Sequence, residues 1–278
     1  MDEFFAIMLR PFVACLILTG IHTYLGLHVI ERGVIFADLA LAQLAAFGAT
    51  IGFLWGWNLH STESYLCALS FTLLGAAIFS LTRFRRQVVP QEALIGIVYV
   101  IASAACILVL SRAAAGGEEL KSLLVGHLLF VDWREIGEIA LIYALLGLAH
   151  WLCWEPLLAI SRDPDKAFAA GRNVRLWDFF FYGTFGGIVT SSTELAGVLV
   201  VFSFLVVPAV CGVLLAQTIR ARLLIGWIAG ALTSVVGTAA SYYLDLPTGA
   251  AIVCTFGVCL AVCWLVAAYL NRGLSRGG

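Results

Sequence analysis

The chain has 278 residues, of which 62% are hydrophobic and 12% charged, and its formal net charge is −1. Soluble domains carry about 25% charged residues, so this composition is too poor in charge to cover a water-facing surface. Apolar runs of roughly 20 residues, the length of a helix that crosses a bilayer, recur from end to end. The composition therefore predicts an all-α fold, a polytopic transmembrane helical bundle without a separate soluble domain.

Eight or nine spans are predicted, because polar residues interrupt the first two of nine apolar runs and leave their organisation open. The whole of 1–278 is expected to form a single integral-membrane domain. The nine runs are 7–30, 35–57, 63–82, 89–111, 136–160, 176–193, 195–216, 223–243 and 248–270.

Basic residues predict the orientation of the spans, because basic loops stay on the cytoplasmic side. In a nine-span arrangement most of them fall on one side, which places the C-terminus inside and the loops 112–135 and 244–247 outside. A short interfacial or re-entrant helix is predicted around 119–130. The residues on the inner side are Arg32, Arg83, Arg85, Arg86, Arg162, Lys166, Arg172, Arg175, Arg220, Arg222, Arg272 and Arg276.

A single aspartate, Asp38, interrupts the apolar run 35–57. At about 100° per residue it shares a helix face with five small residues, which let a neighbouring backbone approach closely. A carboxylate in the hydrocarbon centre costs at least about 3 kcal/mol, so Asp38 either faces a cation pathway or caps a helix at the interface. Either way it is predicted to point into the bundle. The small residues on its face are Ala42, Ala45, Ala49, Gly52 and Gly56.

The stretch SRDPDKAFAAGRNVRLWDFF, residues 161–180, predicts a short helix between two spans. Asp163 suits the N-cap, Pro164 the first turn and Gly171 the C-cap. A short helix on the cytoplasmic side suits docking to a partner, and an ordinary interfacial connection is the alternative.

Three further polar residues stand near predicted span ends. Glu92 begins a span and is expected to be stabilised by the dipole of its own helix. His127 either helps to receive a cation on the outer side or is simply hydrogen-bonded. Glu194, between two apolar runs, is either an entrance group or an interfacial carboxylate.

All eight cysteines fall inside apolar runs and are expected to be small packing residues. Cys259 and Cys263 lie one helical turn apart, but no short paired spacing of the zinc-site kind is present.

Six stretches, in order along the chain, resemble the membrane-spanning permease of metal-ion ABC importers of the zinc, manganese and iron type. The resemblance implies a type II importer fold in which two permease copies form the pathway. It also implies a cytoplasmic ABC ATPase, an extracytoplasmic metal-binding protein, and a multi-pass location in a bacterial or archaeal cell (inner) membrane. The stretches are LGLHVIERGVIFADLALAQLAAFGA (25–49), EALIGIVYVIASA (92–104), LLVGHLLFVDW (123–133), DPDKAFAAGRNVRLWDFFFYG (163–183), LAGVLVVFSFLVVPAVCGVLLA (195–216) and SYYLDLPTGAAIV (241–253).

The resemblance also implies a coupling role for the short helix at 163–171. Asp165, Ala167 and Gly171 approximate the loop of an acidic residue, two alanines, three residues and glycine by which importer permeases engage their ATPase. The departure is Lys166, which stands where a second alanine-type residue would be.

A second implied site is the metal pathway. The family pattern has an aspartate followed one turn later by a histidine, and here Asp38 is followed by Ala42. This removes the nitrogen ligand that would favour zinc over harder ions. The transient metal contacts are predicted to be Asp38, His127 and Glu194.

The predicted function is that of a non-enzymatic permease subunit for a divalent metal ion. ATP hydrolysis is expected in the partner chain, because the sequence contains no Gly-rich phosphate loop followed by Lys-Ser or Lys-Thr. No resident cofactor and no nucleic-acid partner are expected. One alternative is a type II permease for an iron chelate or cobalamin, which would need about ten helices. The other is an ion-coupled secondary transporter, which would need several buried charged pairs.

Overall fold

The structure is a computed structural model that describes residues 2–58, 61–83, 89–111 and 126–274. Within these ranges it contains eleven α-helices, one short 3-10 helix at Leu128–Phe130 and no strand. The α-helices are α1 (Asp2–Arg32), α2 (Ala37–Leu54), α3 (Thr62–Leu81), α4 (Gln91–Leu110), α5 (Trp133–Leu152), α6 (Trp154–Arg162), α7 (Pro164–Ala169), α8 (Val174–Ala196), α9 (Val198–Leu215), α10 (Ile219–Tyr243) and α11 (Thr248–Leu274).

Eight of these helices, α1 to α5 and α9 to α11, are long and apolar enough to cross a membrane. A ninth, α8, has 23 residues, which gives a length of about 34 Å, although its hydroxyl residues lower its hydropathy. The prediction of an all-α bundle with eight to nine spans is therefore confirmed.

The predicted span 136–160 is wrong at its second half. The helix α5 ends at Leu152, and the nine-residue helix α6 follows after a break at Cys153. Pro156 favours this break, because it lacks the N–H group that a continuous helix would bond to the carbonyl of Leu152.

The predicted junction at Glu194 also moves. The helix α8 continues through Glu194 to Ala196, and the chain turns at Gly197 with a φ of +80°. Gly126, itself at a φ of +66°, packs against this turn, where a Cβ on Gly126 would lie 2.3 Å from the backbone of Ala196. Both positions therefore require glycine.

Two predictions fall wholly or partly outside the described residues. Of the interfacial helix expected around 119–130, only the part from Gly126 onwards is described, and there Leu128–Phe130 forms a single 3-10 turn. The basic residues Arg85, Arg86 and Arg276 are also outside the described ranges.

The chain divides into two compact units. Unit 1 comprises Met1–Ile30, His127–Ala140 and Leu199–Gly278, and unit 2 comprises Glu31–Gly126 and Leu141–Val198. The single permease domain expected for 1–278 stays a prediction.

In unit 1, glycines bring the long helices into close contact. A Cβ on Gly26 of α1 would lie 2.0 Å from the carbonyl oxygen of Leu205 in α9, and one on Gly226 of α10 would lie 2.8 Å from that of Pro208. Phe204 and Phe256 join α9 to α11 with ring centroids 4.8 Å apart. These contacts fix α1, α9, α10 and α11 as one packed group.

In unit 2, α2 is the central helix, with α3, α4 and α8 packed around it. A Cβ on Gly48 of α2 would lie 2.8 Å from the Cα of Ala68 in α3. Between α3 and α8, a Cβ on Gly186 would lie 2.3 Å from the methyl group of Thr72. Small residues thus let three helices pack closely around α2.

Candidate functional site

Asp38 lies in the first turn of α2 and is almost fully buried, with 1% of its surface exposed. The prediction that it points into the bundle is confirmed. The helix begins at an N-cap, Phe36, that makes no side-chain capping bond, and neither carboxylate oxygen of Asp38 has a hydrogen-bond partner. The alternative that Asp38 caps its helix is therefore wrong. A buried carboxylate without partners is stable only when it is protonated or when a cation approaches it.

The small-residue face of α2 extends from Asp38 to the end of the helix. Its four helical members are buried, and two of them form an apolar cluster with Ala68 of α3. The predicted extension to Gly56 is wrong, because α2 ends at Leu54 and Gly56 lies in the exposed turn beyond it, with a φ of +87°. The four buried members are Ala42, Ala45, Ala49 and Gly52.

A hydroxyl group of α5 interacts electrostatically with Asp38 and is bonded to a hydroxyl group of α8. The phenol of Tyr143 in α5 is within electrostatic range of the Asp38 carboxylate and is hydrogen-bonded to Ser192 of α8. Four consecutive hydroxyl residues of α8, at positions 190–193, are buried, and Thr190 shares a hydrogen bond of 3.0 Å with Thr72. Their oxygen atoms are the kind of donor that hard divalent cations prefer.

Glu92 joins the start of α4 to the start of α2. Its Oε1 accepts a hydrogen bond of 3.0 Å from the backbone N–H of Phe36. That N–H group precedes the first turn of α2 and has no partner within the helix. Glu92 lies in the first turn of α4, as predicted. It also accepts a hydrogen bond from the start of α2, at Phe36, which stands two residues before Asp38.

The other two predicted metal contacts, Glu194 and His127, belong to different units of the chain. Glu194 is partly buried in the last turn of α8 and interacts electrostatically with Tyr65 of α3. His127 is about a third exposed, and its Nε2 lies 3.3 Å from Oε1 of Glu135. Asp38 and Glu194 belong to unit 2 and His127 to unit 1. Their roles as metal contacts stay predictions.

A buried ion cluster forms where the end of α1 meets the start of α8. Nη1 of Arg32 donates to Oδ1 of Asp178 at 2.5 Å, and Nε of Arg83 lies 3.3 Å from Oδ2 of the same carboxylate. The Arg32 and Asp178 side chains are fully buried and that of Arg83 is 3% exposed. No sequence pattern indicates this cluster, because Arg32 and Asp178 are 146 positions apart.

Further contacts extend the cluster to α6 and α3. Nε of Arg32 donates to Oγ of Ser161 in α6 at 2.8 Å, and the guanidinium group lies 4.0 Å from the centre of the Phe181 ring. The hydroxyl of Ser80 in α3 donates to the backbone carbonyl of Arg175 at 2.6 Å. The ends of α1 and α3 are thereby bonded to the first turns of α8, and the end of α6 is bonded to Arg32.

The short helix α7 lies between α6 and α8 and is capped at both ends, as predicted. At its start, Oδ1 of Asp163 accepts the backbone N–H of Lys166 at 2.9 Å, and Nζ of Lys166 lies 2.8 Å from Oδ2. These contacts with Lys166 hold the pKa of Asp163 below its usual range. At its end, Gly171 adopts a φ of +73°, and the N–H groups of Gly171 and Arg172 bond to carbonyls inside the helix at 3.1 Å, which is a Schellman motif.

The residues of α7 divide between an inner and an outer face. Ala167 is 5% exposed and packs with Ile160 of α6 and Val174 of α8. Asp165 and Gly171 are exposed. Of the three predicted coupling residues, two are therefore available to a partner, and Ala167 instead anchors the helix to the protein.

Nearly the whole chain is similar to known membrane transport proteins. The ABC 3 transport family matches residues 4–269. A "Probable iron transport system membrane protein" of Haemophilus influenzae is 24% identical over 246 residues, which cover 88% of this chain and 85% of that protein. The "Manganese transport system membrane protein MntD" of Bacillus subtilis is 24% identical over 272 residues, covering 91% and 92%.

A solved structure, PsaBC from Streptococcus pneumoniae in complex with Fab, has the same fold. It superposes with a TM-score of 0.77 at 20% identity and covers 95% of each chain. The family match spans nearly all of the nine long helices, and the chain belongs to the ABC 3 transport family as a multi-pass membrane permease.

Proposed function

We propose that this chain is the permease subunit of an ABC importer that carries a divalent transition-metal ion across the cell (inner) membrane of a bacterium or archaeon. The names of its relatives, which are manganese and iron transport proteins, support this class of cargo. The observation in the chain itself that carries the proposal is the buried carboxylate of Asp38, whose two oxygens have no partner.

The carboxylate of Asp38 and the lack of a histidine one turn later favour manganese or ferrous iron over zinc. Position 42, where a histidine would supply nitrogen, is Ala42, and the buried carboxylate of Asp38 supplies oxygen. Carboxylate and hydroxyl oxygens suit Mn²⁺, whereas imidazole and thiolate suit Zn²⁺. A single carboxylate also binds weakly enough to release the ion again, as transport requires. His127 and Glu194 are proposed as further brief contacts.

The proposed complex contains two copies of this chain, a cytoplasmic ATPase and an extracytoplasmic metal-binding protein. The exposed side of α7, with Asp165 and Gly171, is proposed to engage the ATPase, and Ala167 holds α7 against α6 and α8.

Motion of α7 has a continuous route to Asp38 within unit 2. The helix α8 begins five residues after α7, and its Asp178 holds Arg32 at the end of α1. From Arg32 the chain makes one short turn and enters α2, where Asp38 is the second residue. A displacement of α8 therefore pulls on the turn that positions Asp38, with few freely rotating bonds in between.

The test is uptake of Mn²⁺, Fe²⁺ and Zn²⁺ into proteoliposomes that contain the permease with its ATPase and binding protein. Asp38→Asn keeps the shape of the side chain and removes its charge. We expect it to reduce Mn²⁺ uptake by about tenfold or more, because a loss of about 1.4 kcal/mol in the stabilisation of the ion corresponds to a factor of ten. Asp245→Asn, at an exposed residue of the turn between α10 and α11, is the matched control. Unchanged Mn²⁺ and Fe²⁺ uptake by Asp38→Asn, with ATP hydrolysis intact, would exclude Asp38 from the pathway.

A further inference from the structure

Three cysteines of unit 1 come together between α9 and α11. Cys211 of α9 is fully buried, and Cys259 and Cys263 of α11 are partly exposed. Their three Sγ atoms all lie within 4.8 Å of one another. Among the described residues, no other three histidine, cysteine or acidic side chains converge in this way.

The sequence predicts these cysteines to be packing residues, and the structure gives them a more specific arrangement. Cys259 and Cys263 are one turn apart and therefore present their sulfur atoms on one face of α11. Cys211 approaches from another helix, which no spacing in the sequence indicates. Packing alone requires small apolar side chains but no convergence of three sulfur atoms.

The helices that carry the sulfur atoms are firmly held. The ring contact between Phe204 and Phe256 joins α9 to α11, and Gly237 of α10 packs directly on Ile252 of α11. Thr233 of α10 is 2% exposed, lies next to Cys259 and makes a hydrogen bond with no other described group. Its hydroxyl can donate to a thiolate at Cys259, which is the type of outer contact that stabilises metal-binding ligands.

The spacing of the three sulfur atoms fits a metal ion at their centre. Three atoms at most 4.8 Å apart leave at most about 2.8 Å between each sulfur and a central ion, and metal–thiolate bonds near 2.3 Å need only a small contraction. We propose that Cys211, Cys259 and Cys263 bind one monovalent thiophilic ion of the Cu(I) class in a three-coordinate site.

Coordination number decides between a monovalent and a divalent occupant. One Cu(I) ion with one thiolate and two thiols is neutral: a Cu–S bond replaces one S–H bond, and the proton leaves to water. Zn²⁺ with two thiolates and one thiol is neutral as well, but it lacks the fourth ligand that its tetrahedral geometry requires. Three sulfur donors suit a soft monovalent ion and leave Zn²⁺ one ligand short, so the monovalent ion is favoured.

The experiment is an anaerobic titration of the reduced, purified permease in lipid nanodiscs with Cu(I), in competition with a chromogenic Cu(I) chelator. We expect one ion per chain, a sulfur-to-copper charge-transfer band, and a higher unfolding temperature in the bound state. Cys259→Ser should weaken binding by about 100-fold, at least as much as the loss of an outer contact costs. Cys254→Ser, at an exposed cysteine of the same helix, should bind as the parent does.

Other results overturn the site. It is wrong if the parent binds no Cu(I), or if Cys259→Ser and Cys254→Ser bind alike. The choice of a monovalent ion is wrong if Zn²⁺ alone binds with one-to-one stoichiometry and is lost in Cys259→Ser. An unchanged unfolding temperature of the metal-free Cys259→Ser protein confirms that weaker binding does not reflect unfolding.

Discussion

Asp178→Asn tests the buried ion cluster most directly. The substitution keeps the size of the side chain and its ability to accept a hydrogen bond from Arg32, but it removes the negative charge. Arg32 and Arg83 then remain buried as two positive charges, since their side chains are 0% and 3% exposed. Neither can reach water without unpacking the first turns of α8.

The magnitude follows from this geometry. Removal of one partner from a buried ion pair lowers the free energy of unfolding by about 3–5 kcal/mol, because the remaining charge is uncompensated. For a chain of this size that corresponds to a fall of roughly 10 °C in the unfolding temperature. The bond to Arg32 at 2.5 Å and the longer contact with Arg83, at 3.3 Å, both contribute to the loss.

The assay is thermal unfolding in nanodiscs, followed by tryptophan fluorescence. Glu138→Gln is the control, because it breaks the exposed pair of Glu138 with Arg134 and should change nothing measurable. A combined replacement of the three charged residues by apolar ones of similar volume should recover most of the stability, although not the coupling to ATP hydrolysis. If Asp178→Asn unfolds within about 2 °C of the parent, the two guanidinium groups are solvated and the reasoning fails.

Three further predictions concern local geometry. Gly26→Ala should lower the free energy of unfolding by about 1–3 kcal/mol, because the new Cβ overpacks against α9. Gly20→Ala in the same helix should not lower it, since nothing lies within 4 Å of a new Cβ there. Chemical unfolding of the two variants measures the difference. Gly171→Ala should lower the stability of α7 by about 1–2 kcal/mol, since a φ of +73° strains any residue with a Cβ. This loss of stability should appear as faster amide exchange in α7. Because the pKa of Asp163 is lowered in the folded protein, its helix cap is fully present above the ordinary carboxyl pKa of about 4. The cap is lost only as the pH falls through the lower pKa of the folded state. Amide exchange of α7 across that pH range should show this loss, and Asp163→Asn should abolish the pH dependence.

The parts of the fold that the sequence predicts are those encoded within a few residues. Asp163, Pro164 and Gly171 each satisfy a local requirement of α7, so the helix follows from the stretch itself. The face of α2 also follows from its spacing. The break after Leu152 is also encoded locally, because Pro156 cannot donate the hydrogen bond that a continuous helix would need there.

What the sequence does not predict depends on distant contacts. Arg32 and Arg83 fit cytoplasmic basic loops equally well whether they face water or are buried, and only contacts within unit 2 bring them to Asp178. The lack of partners at Asp38 is likewise a property of its surroundings. Cys211 joins Cys259 only because α9 packs against α11.

The two proposed metal sites have opposite ligand chemistry, and this difference indicates which one carries cargo. A transported ion must leave its contacts on every cycle, which a single carboxylate such as Asp38 permits. Three convergent sulfur donors would hold a thiophilic ion far more tightly, and a site of that kind on the route would stop release. The thiol cluster therefore fits a retained ion that joins α9 to α11, while the carboxylate of Asp38 fits an ion in passage. The number and softness of the ligands, more than their burial, separate the two roles.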